Sequence, residues 1–335
     1  MDQSAKKKES LWRENGIIKI VRSNLGILIG LLIMCIGLTF ISDSFATSTN
    51  IFNVLRQISV NVFLACGMTM VILIGGIDLS VGSVIAISGC LCAGLITNNG
   101  IPSGLAIILA IIIGTLVGAV NGLIIANTKI PPFIVTLAMM NIGRGFARIY
   151  TNATTILVND ELFIWIGSGK IFGEIPVQLL FMVVVVIITG LILNKTKFGR
   201  NIYAVGDNQQ AAVYSGINSK KVIFLVFTLS GLFAACAGIL SAARTFSGQF
   251  NVGDGAEMDA ISAVVLGGTS MTGGVGRISG TLIGCLVIGI LNNGMNLMGI
   301  DSSWQYVVKG IVVLLAVYID CLLYTSPSPR DRSLS

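Results

Sequence analysis

The chain has 335 residues, of which 54% are hydrophobic and only 11% are charged, and its mean hydropathy is +0.90. A soluble domain carries about 25% charged residues, so a soluble globular fold is excluded. Histidine is absent, which removes the commonest general base and metal ligand, and we expect no catalytic site, no metal and no cofactor. The net charge of +6 does not indicate nucleic acid, because the basic residues lie mainly where membrane topology requires them.

Apolar segments along the chain predict an all-α, polytopic integral membrane protein. A membrane-spanning helix needs about 20 predominantly apolar residues. The ten candidate spans are 25–42, 54–75, 80–97, 103–126, 132–150, 177–194, 221–243, 259–270, 278–298 and 304–321. The eighth span is short and runs into a glycine-rich stretch from Gly267 to Gly276, which predicts a half-helix that stops inside the protein.

Charge indicates the orientation of these spans. Residues 1–24 form a basic tail without a cleavage signal, which predicts a cytoplasmic N-terminus. Ten spans then put both the Lys- and Arg-rich segment 195–220 and the C-terminus in the cytoplasm, and the loop 244–258 outside. Residues 25–321 form the predicted transmembrane domain, and we expect 322–335, which alternate Ser with Pro, to be a disordered or non-native tail.

The second and third spans are separated by a break over residues 75–83. Its acid, Asp78, is the only charge between Arg56 and Lys129, and a carboxylate in lipid is costly without a partner. One interpretation is that Asp78 caps the helix that begins at Ser80, and the other is that it gates or contacts the substrate. We favour the cap. The residues of this predicted break are Gly75, Gly76, Asp78, Ser80, Gly82 and Ser83.

Polar side chains within the spans are candidates for a translocation path, because buried amides need hydrogen-bond partners. The alternative is that each amide joins two helices, which is the more frequent role. The main candidates are Asn61, Asn121, Asn141 and Asn293, and further ones are Thr136, Asn292 and Asn296. Arg144 and Arg148 lie four residues apart near an outer helix end, where we expect them to snorkel to the interface rather than line the mouth of the path.

The cytoplasmic segment after Arg200 contains a predicted short helix. Asp207 or Asn208 begins it, and Gly216 ends it. The physics leaves two roles open: a docking element for a cytoplasmic partner, or an amphipathic loop that lies on the lipid headgroups. The residues of this predicted helix are Asp207, Asn208, Ala211, Ala212, Ser215, Gly216 and Ile217.

Three motifs, at 75–83, 199–217 and 266–276, resemble those of the permease subunits of bacterial ATP-binding-cassette importers for ribose, xylose, galactose and related monosaccharides. The resemblance implies a permease dimer in the bacterial inner membrane, a tandem-domain ATPase that docks from the cytoplasm, and an extracytoplasmic sugar-binding protein. It also implies that 207–217 is the coupling helix. The chain has no Gly-x-x-x-x-Gly-Lys-Ser/Thr loop, so ATP hydrolysis is expected in the partner and not here.

Two other transport functions remain as alternatives: a permease for branched-chain amino acids, and a secondary sugar carrier that works alone. A proton-driven carrier usually has several intramembrane acids or histidines, whereas Asp78 stands almost alone. A membrane-embedded enzyme is a third class, which the absence of a nucleophile–base pair disfavours.

Overall fold

The computed structural model describes residues 25–171 and 173–325, which contain thirteen helices and four short strands. The helices are α1 (Leu25–Ile41), α2 (Ser48–Leu73), α3 (Val81–Thr97), α4 (Ser103–Asn127), α5 (Pro132–Tyr150), α6 (Glu161–Ser168), α7 (Val177–Lys195), α8 (Lys197–Asp207), α9 (Gln209–Tyr214), α10 (Ser219–Thr245), α11 (Ala256–Leu266), α12 (Ile278–Leu297) and α13 (Ser302–Thr325). The strands are β1 (Ile156–Leu157), β2 (Lys170–Ile171), β3 (Ile175–Pro176) and β4 (Ser247–Gly248). They form two antiparallel pairs, β1 with β4 and β2 with β3.

A helix occupies each of the ten predicted spans, which confirms the all-α polytopic fold. Five of these helices, α2, α4, α7, α10 and α12, are long and apolar enough to cross a membrane by length and composition alone. Two boundaries differ from the sequence prediction. Helix α2 begins earlier, at Ser48, because the Thr47 side chain accepts a hydrogen bond from the Asn50 N–H and caps a polar first turn. Helix α13 extends to Thr325, so 322–325 are helical, and the rest of the predicted tail lies outside the described residues.

Helix α10 lies at the centre of the bundle, where it packs against α2, α3 and α4. Small residues allow the close contact with α4: a Cβ at Gly118 would lie 2.8 Å from the Gly231 Cα, and a Cβ at Gly114 would lie 2.6 Å from the Ala235 Cβ. The outer faces of α4, α5 and α7 carry exposed large apolar side chains. Such faces suit hydrocarbon and would be unfavourable in water.

The segment 246–255 is irregular apart from the two-residue strand β4, and it lies along α3. A Cβ at Gly248 would lie 2.9 Å from the Cys90 Cα, and one at Gly253 would lie 3.0 Å from the Ile85 Cβ, so the segment passes from the middle of α3 toward its first turns. The prediction that 244–258 is an external loop is therefore wrong for this part. Helix α11 follows directly and begins inside the bundle. Irregular backbone at membrane depth is tolerated only inside protein or beside a cavity, and both conditions are met here.

Candidate functional site

The first helix break begins with a glycine C-cap at the end of α2. Gly75 has a φ of +74°, a conformation that residues with a Cβ rarely adopt. Its N–H donates to the Ile72 carbonyl at 2.8 Å, and the Gly76 N–H donates to the Val71 carbonyl at 2.9 Å. This pair of bonds is the Schellman motif, which satisfies the last carbonyls of a helix and turns the chain away. The predicted break is thus present, and its first two glycines produce it.

Asp78 joins the break to α10 and is only 1% exposed. Its Oδ1 accepts hydrogen bonds from the Ser80 N–H at 3.0 Å and the Ser80 hydroxyl at 2.6 Å. Its Oδ2 accepts from the Ser230 hydroxyl in α10 at 2.7 Å. The expectation that Asp78 caps α3 holds only in part: it accepts one backbone N–H, but the N-cap residue is Ser80. The hydroxyls of Ser80 and Ser230 donate the other two hydrogen bonds to the carboxylate. Asp78 therefore connects the start of α3 to α10 as well as capping α3 in part.

Two of the predicted path residues belong to this same network. The Asn121 side chain in α4 is completely buried and donates to the Ser80 hydroxyl oxygen at 2.9 Å. The Thr136 hydroxyl in α5 donates to the Ile77 carbonyl at 3.1 Å. The break is therefore held by α4, α5 and α10 together. These two side chains join helices here, which is the alternative that the sequence left open.

The remaining positions of the break, Gly82 and Ser83, are governed by local packing and hydrogen bonding. A Cβ at Gly82 would overlap the Gly253 carbonyl oxygen and a Glu257 carboxylate oxygen. The Ser83 hydroxyl donates to the Ser80 carbonyl at 2.8 Å, within the first turn of α3. The start of α3 thus packs at Gly82 against both the segment 246–255 and the start of α11.

Arg144 faces inward, so the expectation that it snorkels to the interface is wrong, whereas Arg148 is exposed and the expectation stays a prediction for it. The Arg144 guanidinium donates to the Val252 carbonyl at 2.7 Å and to the Phe250 carbonyl at 3.3 Å, and it lies 3.8 Å from Asp254 Oδ1. Arg148 lies over the Phe250 ring, 5.7 Å from its centroid. Carbonyls of an irregular segment at membrane depth need such a donor, which explains why Arg144 turns toward this segment.

A polar cavity of about 290 Å³ lies beside segment 246–255, at the end of the bundle where α10 ends and α2 and α13 begin. Five side-chain amides line it: Gln57, Asn61, Asn292, Asn296 and Gln305. Arg244, Asp254, Asp259 and Lys309 contribute charged groups to the same wall. The cavity therefore contains one main path candidate, Asn61, and two of the further ones.

The charged groups of the cavity are partly paired. The Lys309 ammonium lies 2.9 Å from Asp259 Oδ1 and donates to Oδ2 at 3.0 Å, which connects α13 to α11. The Asn292 amide also donates to Asp259 Oδ2, at 3.2 Å. Among the described residues, no partner is present for the Asn292 carbonyl oxygen, although the side chain is only 3% exposed. A buried oxygen without a hydrogen-bond donor costs free energy. The Asn292 oxygen therefore favours a bound polar ligand or a local rearrangement that brings a donor to it.

The two remaining path candidates lie elsewhere. Asn141 is exposed on α5, and its amide donates to the Leu137 carbonyl of its own helix. Asn293 and Asn50 exchange two hydrogen bonds, of 3.0 and 2.8 Å, that join α12 to the start of α2. The four main path candidates therefore occupy four different environments, and the structure does not bring them together.

The second break begins with the same backbone motif as the first. Gly268 has a φ of +80°, its N–H donates to the Val265 carbonyl at 2.8 Å, and the Thr269 N–H donates to the Val264 carbonyl at 3.2 Å. Helix α11 therefore ends at Leu266 with Gly267 as its C-cap, as the predicted half-helix requires. The loop that follows returns to the first break, where the Gly274 N–H donates to the Leu73 carbonyl at 2.9 Å.

The two breaks meet α8 at a contact that we call the glycine junction, which consists of Leu73, Gly75, Gly206, Gly273 and Gly274. A Cβ at Gly206 would overlap the Leu73 carbonyl oxygen, and one at Gly273 would lie 2.9 Å from the Gly206 carbonyl oxygen. A Cβ at Gly274 would lie 3.0 Å from the backbone of Asp207. Three backbone segments thus touch without intervening side chains, which only glycine permits.

Helix α8 also holds the second break through a side chain. The Tyr203 hydroxyl donates to the Gly276 carbonyl at 3.0 Å. Burial raises the pKa of the Tyr203 phenol, against a smaller lowering by Arg277, so the phenol keeps the proton that it donates. Sequence reasoning missed α8, although Phe198, Ile202 and Val205 recur at helical spacing. The glycine junction had no such signal, because it depends on contacts between distant segments.

The predicted short helix is present as α9, between Asn208 and Gly216. The Asn208 side chain accepts a hydrogen bond from the Ala211 N–H at 2.9 Å, and Gly216 has a φ of +83° that ends the helix. Asp207 is the last residue of α8 instead of a cap for α9. Ala212 is 4% exposed, whereas Val213 is 50% and Tyr214 is 90% exposed. The small face of α9 therefore packs inward, and its outer face exposes Val213 and Tyr214 beside two glutamines, Gln209 and Gln210.

Comparison with known proteins agrees with this architecture. Residues 50–317 match the family described as branched-chain amino acid transport system / permease component. The chain is 50% identical to the ribose import permease protein RbsC of Bacillus subtilis over 302 residues, which is 90% of this chain and 93% of that protein. It is 45% identical to the RbsC of Escherichia coli, over 88% of this chain and 92% of that protein.

A third relative is the L-arabinose transport system permease protein AraH of Escherichia coli, which is 41% identical over 88% of this chain and 89% of that protein. Identities of this size over almost the whole length, together with ten helices at the predicted spans, establish the relationship. The chain belongs to the family of transport-system permease components that contains these ribose and arabinose permeases, which is the family that its sequence motifs indicate.

Proposed function

We propose that the chain is the transmembrane subunit of an ATP-driven importer of a monosaccharide, which works with a sugar-binding protein and forms the translocation path. The observation that carries the proposal is the 50% identity to a ribose import permease over 90% of the chain. The energy comes from a partner ATPase, since the sequence has no phosphate-binding loop of its own. The chain itself binds the sugar and guides it across the membrane, and it catalyses no reaction.

The polar cavity supports a neutral sugar as the cargo. A side-chain amide both donates and accepts hydrogen bonds, as a sugar hydroxyl does, and five amides line this wall. A branched-chain amino acid would require a free anion for its ammonium group. Both carboxylates on this wall already face a cation, Asp259 at 2.9 Å from Lys309 and Asp254 at 3.8 Å from Arg144, which favours the sugar over the amino acid. We propose that Asn61, Asn292 and Asn296 contact the sugar as it enters.

We propose that α9 is the element on which the ATPase docks. It lies at the start of α10, whereas the polar cavity lies near the end of the same helix, about 40 Å away along its 27 residues. With the basic segment 195–220 in the cytoplasm, the polar cavity faces the side from which a binding protein delivers sugar. A second permease copy then completes the transporter in the membrane of a bacterium, with both termini in the cytoplasm.

Tyr214→Ala tests the docking role. Interface tyrosines are frequent hot spots that cost about 2 kcal/mol or more on truncation, which corresponds to about thirtyfold weaker binding. We expect the variant to insert normally but to lose co-purification of the ATPase subunit. Tyr318→Ala is the matched control, because Tyr318 is also exposed, at 61%, but lies on the membrane helix α13. Equal ATPase recovery with Tyr214→Ala and the unaltered chain would show that α9 lies on the headgroups instead.

Competition for uptake tests the cargo. The complete transporter is reconstituted in vesicles with its binding protein, and uptake of labelled ribose is measured against an excess of unlabelled monosaccharides or of leucine. We expect competition by at least one monosaccharide and none by leucine. Labelled leucine is tested in the same vesicles, and uptake of leucine without uptake of any labelled sugar would replace the proposed cargo with a branched-chain amino acid.

A further inference from the structure

An apolar cavity of about 320 Å³ opens on the side of the bundle and shares no lining residue with the polar cavity or with either helix break. Helix α7 packs on α2 and α6, and the space that it leaves beside α4 and α10 is this cavity. All of its lining residues are apolar. Phe63 and Phe233 lie at its wall in an edge-to-face contact, with ring centroids 6.5 Å apart. Val184 and Ile188 of α7 are 43% and 45% exposed and form part of its rim.

The surroundings of the cavity identify its occupant. The apolar faces continue from the rim along α4, through Ile108 and Ile112, and along α7, through Val183 and Ile187, all of which are exposed. Hydrocarbon is the medium at this depth of a membrane. Water gains nothing in a space without polar groups, and an empty space forfeits dispersion contacts with its walls. We infer that the cavity is a binding site for one acyl chain of a membrane lipid.

The position of the site gives the bound chain a structural consequence. Helix α7 leads into the cytoplasmic elements α8 and α9, and α10 follows them. An acyl chain between α7 and α10 therefore fills the space between the two membrane helices that carry the docking segment. The inference depends on the membrane-spanning fold and is independent of the cargo or the ATPase.

A matched pair of substitutions on α7 tests the site. Ile188→Phe places a bulky side chain at the rim, whereas Ile187→Phe places the same side chain on the adjacent lipid-facing surface, outside the cavity lining. The full chain is purified in detergent with added phospholipid, and bound lipids are counted by native mass spectrometry. We expect the unaltered chain and Ile187→Phe to retain a one-lipid species, and Ile188→Phe to lose it. Equal retention in all three proteins would overturn the inference.

Cys236 supplies a second measurement that does not depend on a bulky substitution, since it lines the cavity and is partly buried. In a variant with Cys236 as the only cysteine, we expect maleimide labelling to accelerate when lipid is removed and to slow when long-chain phospholipid is restored. Labelling that is indifferent to lipid but slows with protein concentration would identify a second copy of the chain as the occupant, and it would overturn the acyl-chain site.

Discussion

Gly206→Ala is expected to lower transport by about tenfold or more while leaving the chain inserted in the membrane. The new methyl group would overlap the Leu73 carbonyl oxygen and lie 2.7 Å from the Gly274 nitrogen, so the glycine junction must separate. Overpacking of this kind costs about 1–3 kcal/mol, and each 1.4 kcal/mol changes a population by about tenfold. We expect vesicle uptake to fall by about tenfold or more, because α8 no longer holds the two helix breaks together.

Gly190→Ala in α7 is the control for this substitution. Its new methyl group would meet only the Ile278 Cγ2 at 3.6 Å, which is an ordinary contact, so uptake is expected to stay normal. Tyr203→Phe, which removes only the hydrogen bond to Gly276, should give an intermediate loss. Normal uptake by Gly206→Ala in a correctly assembled transporter would show that the junction does not connect docking to the breaks.

Asp78→Ala is expected to lower thermal stability and uptake strongly, whereas Asp78→Asn is expected to preserve most of both. The alanine removes the acceptor for the Ser80 N–H and for the hydroxyls of Ser80 and Ser230, and each buried donor left unpaired costs about 1–3 kcal/mol. Asparagine keeps an acceptor for Ser80, and its amide can donate to the Ser230 hydroxyl, which also accepts. A neutral side chain is moreover less costly than a carboxylate at this depth.

This pair of variants separates a structural role from a role for the negative charge. Melting in detergent measures the network, and vesicle uptake measures the function of the intact transporter. If Asp78→Asn melts normally but transports nothing, the charge itself takes part in transport, and the structural account of Asp78 is wrong. Ser230→Ala is the control on α10, since it removes only one of the three hydrogen bonds and should have a smaller effect than Asp78→Ala.

The spans and both breaks were predictable because their signals are local. An apolar run of sufficient length predicts a membrane helix, and a glycine after such a run predicts its end, as Gly75, Gly216 and Gly268 illustrate. The irregular segment 246–255 was misplaced for the opposite reason. Its polar and glycine residues resemble those of an external loop, and only the packing along α3 and the donors of Arg144 permit it inside the bundle.

The roles of single polar residues were the least predictable part of the site. Asn61, Asn121 and Asn293 look alike in the sequence, yet Asn61 lines a cavity, Asn121 binds Ser80 and Asn293 pairs with Asn50. A side-chain amide forms hydrogen bonds with whichever polar groups the fold places beside it, and those groups are distant in the sequence. Arg144 shows the same limit, because carbonyls more than one hundred residues later determine its direction.

The polar cavity lies near one end of α10 and α9, the proposed docking helix, lies at its start, with the glycine junction connecting α8 to both broken helices. The central claim is that sugar moves through this chain only when a partner ATPase acts on that docking segment. Vesicles containing the chain, with or without the ATPase subunit and the binding protein, test it directly through the uptake of labelled ribose in the presence of ATP. The account predicts uptake only in the complete system with hydrolysable ATP, and comparable uptake by the chain alone would contradict it.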